Sequence, residues 1–270
     1  GAAMTGTPVA RAWPAAIGAL LVISAVITIG YDPVVDVHPA LRHLGPSADA
    51  WLGTDSLGRP IAKRLAAGTH AVLVPGVLAA LLSTTLGTAA GATAGWFGGL
   101  AAQALGVLRD TLSAIPDIVL ALLMVLAVGD GQGALVVGIG IAAAPRLAAS
   151  VEDRIAGLRQ RDFVLASRVH GVSTGRVLAE HLVWGACRGL LARHALYCFG
   201  AYVVLETTLA YLGGVGTQEP LPSWGNILAS VGPDPRAPMV GRLAPVLVVG
   251  VVLQATSSAA RHTPDPGAAQ

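Results

Sequence analysis

Residues 65–108 read LAAGTHAVLVPGVLAALLSTTLGTAAGATAGWFGGLAAQALGVL, about 44 consecutive positions without one Asp, Glu, Lys or Arg. As a single straight helix at 1.5 Å per residue this run would be about 66 Å long. A bilayer core is about 30 Å thick and takes about 20 apolar residues. The run must therefore be two elements, and the break is expected at Gly95-Trp96-Phe97-Gly98-Gly99, where backbone freedom is concentrated. One span is then expected near His70–Ala94, and the next has its apolar core over Thr111–Val128, closed by Gly129-Asp130-Gly131.

The composition agrees. The chain is 54% hydrophobic and 12% charged, with mean hydropathy +0.67, whereas an ordinary globular domain carries about 25% charged residues. Too few charges remain to coat a soluble surface, so the expected class is an all-α integral membrane protein. A net charge of +2 spread over such a chain excludes the basic stripe that follows a phosphate backbone, and with it a nucleic-acid partner. Aromatics at 4% and the lack of alternating ten-residue apolar segments argue against a membrane barrel. Cys187 and Cys198 match neither a zinc nor a dithiol spacing and read as packing residues.

Six transmembrane helices are expected. Trp13–Gly30 comes first, with Pro14 in its opening turn and Tyr31-Asp32-Pro33 as its stop; without a small-residue cleavage site it reads as a retained anchor. After the two spans above come Ala134 to about Ala149, with Arg146 placed to snorkel, then Ala195–Leu212 and Leu243–Ala260. With the N-terminus inside, the inner side collects eleven arginines and the outer side six basic residues, so both termini are expected in the cytoplasm. The organisation is then a cytoplasmic tail 1–12, a first span 13–30, an extracytoplasmic segment 31–69, a five-span core 70–260 and a second tail 261–270.

The charge count turns on one loop, residues 151–188. Ile155, Leu158, Phe163, Val164 and Ala166–Val169 recur at helical spacing, Gly171 and Gly175 bracket a turn, and Val177, Leu178, Leu182 and Val183 resume the period. This predicts a cytoplasmic helix-turn-helix. One reading lays it on the lipid surface with arginines toward anionic head groups. The other projects it as a knob into a groove of a soluble partner, which requires an apolar stripe flanked by charge.

The loop resembles the cytoplasmic EAA loop of permease subunits in bacterial ABC importers. Ala166-Ser167-Arg168, Gly171, Ser173, Arg176 and His181-Leu182-Val183 fall at matching positions, while Leu165 replaces the expected Glu and Trp184 the expected Pro. Residues 52–59, LGTDSLGR, with Arg64-Leu65 and Gly68, resemble the segment between the first two spans of dipeptide, oligopeptide and nickel importers, Pro60 replacing an Asp. Residues 206–226, ETTLAYLGGVGTQEPLPSWGN, and Arg109-Asp110 with Ile115-Pro116 are similar to two further blocks, in the same order. The resemblance covers residues 13–266 and is to the C-type permease.

The resemblance implies a transporter subunit for peptides or small peptide-like solutes. Its partners would be a second, B-type permease, two nucleotide-binding ATPase subunits and an extracytoplasmic substrate-binding protein, with membrane lipids around it. It implies ATPase coupling through Asp162, Phe163, Ala166, Ser167, Arg168, Gly171, Ser173, Arg176, His181 and Trp184, and binding-protein contact through Tyr211, Gly213, Pro222, Trp224 and Gly225. No cofactor is expected on this chain itself, ATP and Mg belonging to the partner subunits. The residues agree, because the single lysine, Lys63, lies between Ala62 and Arg64 and cannot serve a Walker A loop. A secondary transporter is the alternative, but residues 13–128 and 134–260 lack the matching broken helices it calls for. A non-transporting assembly subunit is another.

The remaining features have structural explanations. Gly87, Gly91 and Gly95 form overlapping G-x-x-x-G units that admit a close neighbouring helix. Thr54-Asp55 reads as a helix cap with Arg59 as ion partner. Glu206 lies within an expected span, where an acid faces water, protein or a counter-charge, and is a candidate pore or gate residue. Asp117 reads as a helix-start stabiliser, and His170, His181 and His194 lack metal-ligand spacing.

Overall fold

The computed structural model describes residues 8–129, 131–213, 216–217 and 219–264; the side chains of residues 8–16 and of Arg168 lie outside that description. Within it the chain forms α1 (Pro8–Ile27), α2 (Ile61–Phe97), α3 (Gly99–Ser113), α4 (Asp117–Val128), α5 (Gln132–Leu158), α6 (Asp162–Val169), α7 (Thr174–Leu212), α8 (Trp224–Val231) and α9 (Met239–His262). Helices α2, α5, α7 and α9 are each long and apolar enough to cross a membrane.

A fifth crossing is bent. Helices α3 and α4 meet at 93°, so the span expected over Thr111–Val128 is divided at Ala114–Pro116. Pro116 has no N–H to continue the ladder and disfavours helical geometry in the residue before it. The twelve residues of α4 rise about 18 Å, too little to cross alone. The other break falls where expected: Phe97 ends α2 and Gly98 adopts φ +64°.

Three helices outrun their apolar cores. The 37-residue α2 starts at Ile61, nine positions before His70, and takes in Lys63 and Arg64. It can do so because Arg64 is neutralised by acids from two loops, described below. Helix α5 continues past Ala149 to Leu158. Helix α7 starts at Thr174 rather than Ala195 and includes a π-helical stretch, Val177–Ala186. Its buried His194 is accommodated by a 2.8 Å hydrogen bond to Ser83 of α2.

Helices α2 and α5 share the largest interface, and the glycine stripe of α2 explains their proximity. A Cβ at Gly87, Gly91 or Gly95 would lie 2.8, 2.4 and 2.7 Å from the carbonyl oxygens of Ala144, Ala148 and Glu152. In lipid, tails are as apolar as leucine, so association rests on such close packing and on interhelical hydrogen bonds. Ser24 to His70, at 2.9 Å, ties α1 to α2 in the same manner.

Residues 28–60, 129–131 and 213–238 gather at one end of the bundle, called upper here, and 98–116 and 159–186 at the other, the lower. The upper core includes Leu73, Leu135, Ile139, Tyr202 and Trp224. The lower core includes Trp96, Leu147, Val151, Ile155, Val164, Val177 and Leu182.

Candidate functional site

The lower hairpin is held by one face and displays the other. Val164 of α6 and Val177 and Leu182 of α7 are fully buried against Ile155, Leu158 and Trp96, which fixes the hairpin to the bundle. Arg159 adds a 3.1 Å hydrogen bond to the Trp96 carbonyl. On the opposite face stand Phe163, 44% exposed, Leu165, 48%, Val169, 85%, and Trp184, 69%. The predicted helix-turn-helix is present, and its apolar residues divide between a buried and an exposed set.

The turn depends on Gly171. Its φ is +76°, and a Cβ there would meet nothing within 4 Å, so glycine is needed for backbone conformation rather than for space. The Val172 N–H reaches back 3.0 Å to the Ser167 carbonyl, the long bond of a Schellman motif. The half-buried Val172 packs on the lower core, as the motif's following residue does. Ser173 then occupies the N-cap position of α7 without making a side-chain cap bond.

Other implied coupling residues sit around this turn. Asp162, Ala166, Gly171, Ser173, Arg176 and His181 are exposed and Ser167 is partly buried, its hydroxyl donating to the Phe163 carbonyl at 2.8 Å. Arg176 lies 3.9 Å from the Glu180 carboxylate. The Arg168 side chain lies outside the described set. Leu165, a departure from the resembled pattern, lies on the exposed face, as does Val169, to which sequence reading assigned no role.

At the upper end, the 52–59 and 206–226 blocks meet. Asp55 is fully buried: its Oδ1 accepts from the Arg59 and Leu57 N–H groups, each at 2.9 Å. Its Oδ2 accepts from Arg59 Nε at 2.8 Å and Arg64 Nη1 at 2.6 Å. Both arginines also reach Glu219, Arg59 at 2.6 Å and Arg64 at 2.5 Å, and Arg64 donates to Ser230 at 3.1 Å. Burial pushes the Asp55 carboxyl up, but the Arg59 N–H and the charges of Arg64 and Arg59 outweigh it and hold the carboxyl below its ordinary range.

The expected Asp55–Arg59 pair is therefore present, but Thr54-Asp55 caps no helix. Pro60 is the N-cap residue of α2, without a side-chain bond, and the Thr54 hydroxyl instead links the Leu41 carbonyl to the Leu44 N–H. Sequence reading missed Glu219 as the common acceptor, because no local spacing relates it to Arg59 or Arg64.

The 206–226 block is mostly interior. Trp224 is fully buried and donates to the Leu65 carbonyl at 3.3 Å; Pro222 and Gly225 are buried, and a Cβ on Gly225 would stand 2.3 Å from the Thr207 carbonyl. Of the five residues implied for binding-protein contact, only Tyr211 and Gly213 are exposed. Ser223 and Asn226 form a reciprocal capping box that starts α8.

Glu206 is fully buried. Thr217 donates to its Oε1 at 3.1 Å, and Gln132 donates at 2.6 Å to both Thr217 and the Ala71 carbonyl. Among the described residues its Oε2 has no hydrogen-bond partner and no arginine pairs with it, since the upper arginines bind Asp55 and Glu219. Glu206 has no exposed surface in this structure.

The described residues form an apolar, multi-helix membrane bundle with a pinned lower hairpin and a charge-locked upper end. Residues 87–259 match the family of binding-protein-dependent transport system inner membrane components, and the chain belongs to that family. It is 34% identical over 207 residues to the nickel transport system permease protein NikC of Escherichia coli K12, covering 77% of this chain and 74% of NikC. It is 32% identical to the glutathione transport system permease protein GsiD of Pectobacterium atrosepticum, over 68% of this chain and 60% of that protein. To the dipeptide transport system permease protein DppC of Alkalihalophilus pseudofirmus it is 28% identical, over 80% and 72%.

A solved structure of the MetNI methionine ABC transporter in inward-facing conformations superposes with TM-score 0.55 at 18% identity, over 76% of this chain and 98% of that one, which supports the fold. The chain is thus a multi-pass permease subunit of an ABC importer, non-catalytic itself. Membership implies ATPase and substrate-binding partners.

Proposed function

We propose that this chain is the C-type permease of an importer for peptides or small peptide-like solutes in a bacterial plasma membrane, with both termini cytoplasmic. It forms the path with a B-type permease, receives solute from an extracytoplasmic binding protein, and is driven by two ATPase subunits that hold ATP and Mg. Residues 162–184 dock into those ATPases. The observation that carries this reading is the lower hairpin: four large apolar side chains stand exposed on a unit whose opposite face is fully packed.

The second arm of the hairpin is also the first part of α7, helical from Thr174 to Leu212. A push on Trp184 is therefore delivered along one element into the bundle. Ten residues of π-helix, Val177–Ala186, carry His181 and Trp184 and lead from the docking face toward the membrane part. The π-helix is rare and frequently found at functional sites. The solute class rests on the dipeptide and glutathione permeases among the relatives.

The test is uptake by proteoliposomes holding the whole transporter. Labelled dipeptide entering only with ATP and with both ATPase subunits supports the proposal. Uptake driven by an ion gradient without ATP makes the chain a secondary transporter, and no flux of any solute makes it an assembly subunit.

A further inference from the structure

Helices α4, α5, α7 and α9 enclose an open groove of about 1140 Å³. In its wall Arg146 Nη2 donates to both carboxylate oxygens of Asp117, at 3.1 and 2.8 Å, and Nη1 donates to the Tyr197 hydroxyl at 2.6 Å. The guanidinium carbon also stands 5.4 Å from the centre of the Tyr197 ring. Arg146 was expected to snorkel; it turns inward to these partners instead, yet 51% of its side chain stays exposed, against 28% for Asp117.

This cluster lies in the lower half of the bundle. Arg146 is fourteen positions along α5 from Gln132, about 21 Å at the helical rise, and Asp117 opens α4 about 18 Å below its upper end. A half-exposed guanidinium is disfavoured against hydrocarbon, at a cost of about 2.5–3.5 kcal/mol at a span's centre even on the lowest scale. Across the groove Gln254, Ser257 and Arg261 of α9 are exposed polar groups in a lining that is otherwise mostly apolar.

We infer that the groove is a water-filled part of the solute path and that Arg146 is a contact point for a carboxylate on the passing solute. The inference rests on the importer reading. A guanidinium offers five N–H donors; the bonds to Tyr197 and Asp117 leave Nε–H and one Nη1 N–H for an anion. Two arginines against one aspartate make the groove positive. Asp117 and Tyr197 hold the guanidinium in place, so that it presents donors in a fixed plane. Partial engagement of Arg146 by Asp117 keeps the contact weak enough for release.

The test has two arms in the assembled transporter. In the first, Gln254→Cys and Ser257→Cys are treated with a membrane-impermeant thiol reagent. Expected are modification within minutes and at least a fivefold slowing by excess dipeptide. No modification, or modification indifferent to solute, overturns the inference by placing the groove against lipid, the second permease or plain solvent. In the second, uptake of a dipeptide and of its C-terminal amide is compared. Asp117→Asn with Arg146→Gln, which removes both charges and leaves no unpaired acid, should lower the acid-to-amide uptake ratio at least tenfold, and Arg146→Lys should restore part of it. An unchanged ratio, with both solutes slowed equally, reduces the cluster to a structural brace. If the native transporter fails to import with ATP, the importer reading fails instead, and the thiol arm still reports whether the groove holds water.

Discussion

The upper and lower ends of this bundle solve opposite problems. At the upper end two arginines and an aspartate are sealed from solvent, and the local Asp55–Arg59–Arg64 cluster is tied to segments distant in sequence, residues 219 and 230. At the lower end the hairpin is held by apolar contact with its own neighbours and leaves large hydrophobic groups exposed. An end whose buried arginines are matched by acids of the same chain is held from within. An end that exposes Trp184 and Val169 is complete only when covered.

The largest expected effect breaks the upper lock. Arg64→Ala takes one of two guanidinium partners from the buried Asp55 carboxylate, leaving Arg59 on the other, and should cost about 3 kcal/mol, the low end for breaking a buried pair, read as a lowered unfolding midpoint in detergent. If the midpoint holds, the upper end is not the rigid one. Next, if the proposed docking holds, Trp184→Ala should leave that midpoint unchanged but weaken ATPase subunit binding by about 2 kcal/mol, roughly thirtyfold in Kd, the size of an interface hot spot. A variant equally impaired in stability would show Trp184 to be core.

Gly171→Ala should cost about 1–2 kcal/mol, the penalty of a left-handed residue that carries a Cβ. That loss should appear as faster amide exchange around 163–176, with the upper end unaffected; uniform acceleration would mean that the two ends unfold as one. The smallest effect concerns pH. Because Asp55 titrates below its ordinary value near 3.9, its stabilising contribution is fully present above that value and disappears as pH falls through the lowered one. The melting midpoint should be flat from about pH 8 to pH 5 and fall only below about pH 4, whereas a decline already at pH 6 would point away from Asp55.

Much of the lower end was legible in advance. The turn at Gly171, the apolar period on both arms and the glycine stripe of α2 are local patterns, each tied to a conformation or a close approach that few residues permit. The division of the apolar residues was not: Val164 is fully buried and its neighbour Leu165 is 48% exposed, and only the position of Ile155 and Trp96 tells them apart. Trp224 illustrates the converse. It reads as a surface feature of a recognisable block, but its indole closes over α2 and its N–H reaches the Leu65 carbonyl.

Composition and period were enough to indicate a helical membrane protein, the break at Gly98 and a helix-turn-helix after α5, because hydrophobic length and backbone freedom are properties of neighbours along the chain. The union of Asp55, Arg59, Arg64 and Glu219, the bend between α3 and α4 and the pairing of Arg146 with Asp117 came from packing alone. A buried charge needs a counter-charge in space, and no spacing rule says which distant residue will supply it.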